Sequence, residues 1–105
     1  MKEIIEKIVK FRNERDWEQF HTPENLSKSI AIEAAELLEN FQWQNECKDV
    51  ENIKEEVADI MIYCLLLCER LGFDIKVIIN EKIDSNNKKY PISKSKGNAK
   101  KYNEF

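Results

Sequence analysis

Apolar residues return every three or four positions along most of this chain. Ile4, Ile5, Ile8, Val9 and Phe11 form a stripe of that period and predict a first helix over about residues 2–14. Arg15 to His21 breaks the period with aromatic and charged residues and reads as a loop. Thr22 before Pro23 has the form of an N-cap followed by proline at the first helical position. A second helix is expected from there to about Trp43. Gln44 to Lys48 is polar and reads as a loop. Asp49 caps a third helix that ends at Gly72, a C′ glycine. Asp74 caps a fourth, which ends near Tyr90 because Pro91 disfavours helix at the residue before it. The last 15 residues carry four lysines and one glycine and read as an irregular tail. The fold class is all-α: a four-helix bundle, with a helical domain over 1–90 and a basic tail over 91–105.

The third helix is apolar on more than one side. At 100° per residue, Ile53, Ile60, Cys64 and Leu67 cover one side, while Ala58, Ile62 and Leu66 cover much of the other. A helix apolar all round belongs at the centre of a bundle. Three other helices from a chain of 105 residues can hardly cover it, so a homo-oligomer, a dimer or tetramer, is expected to complete the core.

Four carboxylates interrupt these apolar runs. Glu33 and Glu36 lie on the second helix and Glu56 and Asp59 on the third, each pair at i, i+3 and so on one face. Asp59 stands among Val57, Ala58, Ile60, Met61 and Ile62. An isolated ionised carboxylate in such a setting costs several kcal/mol unless a positive charge meets it. If the two helices pack antiparallel, the pairs converge. Four oxygen donors suit a hard divalent cation, Mg²⁺ or Mn²⁺. One histidine and no Cys-x-x-Cys pattern argue against zinc, and the missing Glu-x-x-His motifs argue against a di-iron bundle. Acids at i, i+3 are also common on solvated faces; Glu39, Glu51 and Glu55 need no other explanation.

Charge distribution sharpens this picture. The net charge is -3, yet residues 29–69 hold ten acidic and only two basic residues, and residues 70–105 hold nine basic and four acidic. A nucleic acid polymer would meet repulsion across the middle of the chain. Magnesium held by carboxylates usually recruits phosphates, and the lysines that could meet a polyphosphate sit mostly on the fourth helix and tail. Lys82 and Asn86 lie one turn apart there. Three cysteines, an odd number, and no signal-like leader imply a reducing, cytoplasmic setting. The longest near-apolar run, Ile60 to Cys68, falls well short of the roughly 20 residues of a membrane span.

The string Glu33-x-x-Glu36, then Glu56-x-x-Asp59, resembles the signature of the all-α nucleoside-triphosphate pyrophosphohydrolases, the MazG-like superfamily, and within it the dCTP pyrophosphatase branch. Arg15-Asp-Trp-Glu-Gln-Phe-His21, Glu36-Leu-x-Glu-x-Phe-Gln-Trp43, Glu55-Glu-x-x-Asp-x-x-Ile-Tyr63, Lys82-x-x-x-Asn86-x-x-x-Tyr90-Pro91 and Gly97-x-Ala-x-Lys-Tyr102 extend the likeness over nearly the whole chain. One departure is Ala34-Ala35, where that branch often has Val-Gly.

The resemblance implies a metal site and catalytic centre at Glu33, Glu36, Glu56 and Asp59. It implies a base pocket lined by Trp17 and Trp43 with Tyr63 nearby, and Lys82 and Asn86 on the phosphates. The implied reaction converts a nucleoside triphosphate, dCTP or a related pyrimidine nucleotide, to the monophosphate plus pyrophosphate. Two other readings stand beside it: a non-catalytic helical dimer that acts as an interaction module, and the same chemistry on dUTP or modified nucleotides. His21 reads as a structural neighbour of the Thr22 cap, and Cys64 and Cys68 as core residues.

Overall fold

A computed structural model describes residues 1–43 and 49–104. The expected loop over 44–48, with Cys47, lies outside the described residues. The described chain contains helices and turns and no strand, as the hydrophobic period predicts. It divides into two compact units, Met1–Gly72 and Phe73–Phe105.

The first unit holds α1 (Lys2–Glu14), a 3₁₀ turn (Glu18–Phe20), α2 (Pro23–Glu39) and α3 (Val50–Leu71). The capping signals operate as the sequence implies. Thr22 accepts a hydrogen bond from the Asn25 N–H with Pro23 at the first helical turn, and Asp49 accepts one from the Asn52 N–H. Gly72 ends α3 with φ +75°, a left-handed conformation that favours glycine. α2 lies along α3, and α1 packs on α3. The buried apolar residues are few: Leu26, Leu65, Leu66 and Cys68.

Two expectations need correction here. The second helix stops at Glu39 rather than near Trp43. Asn40 causes the stop: its side-chain amide donates to the carbonyls of Glu36 and Leu37, filling acceptors that a further turn would have used. The segment Arg15 to His21 is not a plain loop. Asp16 takes φ +53°, which aspartate tolerates better than most residues, and Gln19 folds back to hydrogen-bond both its carbonyl and its carboxylate.

The second unit holds α4 (Ile75–Lys89), the short α5 (Ile92–Ser95) and a final 3₁₀ turn (Tyr102–Glu104). Asp74 caps α4 through the N–H groups of Lys76 and Val77, and the helix gives way at Tyr90 before Pro91 as expected. The tail is more ordered than its lysines imply. Tyr102 meets the ring of Tyr90 edge-on at 6.2 Å, and the Lys89 ammonium lies 5.1 Å from the Tyr102 ring. Among the described residues no helix is long and apolar enough to cross a membrane.

Candidate functional site

Packing α2 along α3 brings the carboxylate pairs together. One oxygen from each of Glu33, Glu56 and Asp59 lies within 4.8 Å of the others. Glu36 is close enough to perturb both Glu33 and Glu56. Among the described residues no basic side chain pairs with any of the four. Oε2 of Glu33 and Oε2 of Glu56 are buried and lack any hydrogen-bond partner. Such orphaned oxygens are costly in a folded chain unless a ligand satisfies them. A neutral bridge sits alongside: Asn40 Nδ2 on α2 donates to Asn52 Oδ1 on α3 at 2.9 Å. Ala34 and Ala35 are exposed, and their methyl groups do not keep the acids apart.

Crowding of like charge appears in the ionisation of the cluster. Glu33 is raised to about 7. Burial is the main cause, followed by hydrogen bonding of its protonated form to Glu56 and Glu36 and by repulsion from Glu36 and Asp59. Glu56 is also raised. Its hydrogen bond with Glu33 pulls it down, but burial and the charges of Glu36 and Asp59 outweigh that pull. An all-carboxylate set with two buried, unpartnered oxygens fits a hard divalent cation, which replaces shared protons with two positive charges.

Asp59 also borders a cavity of about 440 Å³ within the first unit. Phe11, Trp17, His21, Ile62, Tyr63 and Leu66 form its apolar and aromatic walls. The rings make a chain of edge contacts: Phe11 to Trp17 at 5.7 Å, Trp17 to His21 at 6.3 Å, His21 to Tyr63 at 6.4 Å. The Tyr63 hydroxyl is pushed up by burial and then by the charges of Glu33 and Asp59, so it stays protonated. His21 is pushed down by burial and then by the Arg12 charge, so it is a neutral imidazole near pH 7. Its Nδ1 is buried without a partner. A flat, mostly apolar guest with a polar edge suits such walls.

The cluster and the cavity therefore unite Glu33, Glu36, Glu56, Asp59, Trp17 and Tyr63. Trp43 is not among them: it is 89% exposed in the turn after α2 and neither packs nor lines the cavity. Lys82 and Asn86 are exposed on α4 in the second unit. Of the cavity lining, sequence reasoning names Trp17, Asp59 and Tyr63; it reads His21 as a neighbour of the Thr22 cap and gives Arg12 no role. Arg12 continues the stripe of Ile5 and Ile8, and that was the available signal.

Three comparisons bear on this geometry. The model of the MazG-like family matches residues 28–105. The chain is 36% identical over 106 residues to dCTP pyrophosphatase 1 of Rattus norvegicus and 33% identical to that of Homo sapiens, with 92% of this chain aligned in each case. It spans 62% of the length of those two proteins. A crystal structure of a pyrophosphatase from Archaeoglobus fulgidus superposes with a TM-score of 0.79 at 39% identity, covering 87% of this chain and 92% of that one.

Proposed function

Because this chain belongs to the MazG-like family, we propose that it is a Mg²⁺-dependent nucleotide pyrophosphohydrolase. Its substrate is a nucleoside triphosphate, dCTP or a related pyrimidine nucleotide, and its products are the monophosphate and pyrophosphate. One observation carries this reading: an unpaired carboxylate cluster and an aromatic cavity share Asp59. A ligand with a polyanionic end and a flat heteroaromatic end fits both at once. The relatives named for dCTP and for pyrophosphatase activity support the same substrate class.

Glu33, Glu36, Glu56 and Asp59 would form the metal site, with one glutamate of the first pair, Glu33 or Glu36, left as a base while the others act as ligands. When bound, magnesium supplies charge neutralisation for the triphosphate and acidifies water. The chain's own residues do the rest. Trp17 and Tyr63 hold the base, and stacking of this kind contributes about 1–3 kcal/mol per base. Neutral His21 adds no charge of its own to the cavity wall. A glutamate of the first pair takes the proton from the attacking water. Lys82 and Asn86 of the second unit carry donors that suit phosphates, and the exposed Trp43 carries a ring face that suits a base. Manganese is a second metal that the same oxygens accommodate.

The working form is a homo-oligomer. Leu38 is 69% exposed, and Ile32, Val50, Val57 and Met61 are also exposed on α2 and α3. Apolar exposure of this extent on two adjacent helices favours a second copy as its cover. The free thiols of Cys64 and Cys68 fit a reducing cytoplasm. The direct test is pyrophosphate release from each common nucleoside triphosphate, with and without Mg²⁺. Metal-dependent release with one pyrimidine deoxynucleotide favoured is the expected result; no release from any of them would overturn the assignment.

A further inference from the structure

Arg12 is the one charged side chain of α1 that is buried, at 3% exposure, and it meets carboxylates from two other elements. Its Nη1 donates to Glu69 of α3, and its Nη2 lies 3.7 Å from Glu18 of the 3₁₀ turn. Its Nε donates to Asn13 at 3.0 Å. Its backbone carbonyl accepts the N–H of Trp17 at 3.1 Å. The two ends of one residue therefore grip the chain on either side of the Trp17 ring. That ring is half exposed, so its edge contacts with Phe11 and His21 leave much of it open to solvent. An ordered wall lowers the entropy lost when a flat ligand stacks on it.

We propose that Arg12 is a positioning residue, which fixes Trp17 as a wall of the cavity by clamping the turn through Glu18 and anchoring it to α3 through Glu69. The consequence for substrate affinity rests on the nucleotide reading above; the consequence for Trp17 itself does not. A guanidinium suits this role because its planar fork reaches two carboxylates at once, whereas an ammonium is a point charge.

The test compares Glu18→Gln, which leaves the Arg12–Glu69 pair intact, with Arg12→Lys, which keeps the charge without the fork. Two readouts are taken: KM and kcat for the best triphosphate, and acrylamide quenching of Trp17 in a Trp43→Phe background that leaves a single indole. Both variants are expected to raise KM about fivefold to tenfold, with kcat within about twofold of wild type, and to make Trp17 more quenchable. A purely stabilising role would lower the melting temperature and leave both readouts unchanged. Unchanged KM and quenching in folded Glu18→Gln overturns the proposal, even if Arg12→Lys fails to fold. Arg70→Gln removes the exposed partner of Glu18, at 3.2 Å, and is expected to change neither readout; an equal effect there would transfer the anchor to Arg70 and also overturn it. If the wild type hydrolyses no triphosphate, the nucleotide reading falls alone, and quenching still decides the role of Arg12.

Discussion

On one side of the first unit, α3 carries Glu56 and Asp59 into a group with Glu33 and Glu36, and among the described residues no cation answers them. Near the other end of the same helix, Glu69 is answered directly by Arg12. Both are charges set beside apolar surface, and the difference lies in what completes them. The Arg12 pair is closed within the chain, so it acts on the chain's own geometry. The carboxylate group is left open, an arrangement that suits a cationic guest. Unpaired burial is destabilising on its own terms, which is the physical ground for the metal site proposed above.

The largest expected effect breaks the open side. Glu36→Ala and Asp59→Ala should each reduce pyrophosphate release by about a thousandfold or more, consistent with loss of a ligand in metal-assisted catalysis. The same variants should melt no lower than wild type without metal, because each removes a like charge from a crowd. The closed side should respond in the opposite way. Arg12→Met leaves Glu69 unanswered beside the core and should cost about 2–3 kcal/mol, since Glu69 remains partly solvated. Urea unfolding of both sets measures this contrast.

A smaller effect concerns pH. Glu33 has an ordinary value near 4.5 when unfolded and about 7 when folded. Between these values the native protein holds more protons than the unfolded chain, so metal-free stability falls as pH rises from about 4.5 to about 7 and then levels. Glu56, also raised, adds to the same slope. Urea midpoints across that range should show the fall; Glu33→Gln should weaken it, and saturating Mg²⁺ should remove it by displacing the proton. The smallest effect comes from the neutral bridge. Asn40→Ala removes a cap and the link to Asn52 and should cost about 1 kcal/mol.

Much of this was legible in the order of residues. The helices followed from apolar spacing and from Thr22, Asp49, Asp74, Gly72 and Pro91, because caps and breakers act through local hydrogen bonds and dihedrals. The four acids stood out because ionised groups interrupted an apolar pattern. Applied to the basic residues, the same reasoning would have found Arg12, which follows Ile5 and Ile8 on one stripe. The early end of α2 was less visible, since it depends on Asn40 turning back on its own helix. The cavity was not legible at all from spacing: His21 and Tyr63 meet across 42 positions of sequence, and only the packing of α3 against the segment before α2 joins them.

Manganese titration followed by electron paramagnetic resonance tests the central claim most directly. The account predicts saturable Mn²⁺ binding by the nucleotide-free wild type, competed by Mg²⁺ and lost in the folded Glu56→Gln/Asp59→Asn double variant. Equal manganese binding by wild type and that variant would contradict it.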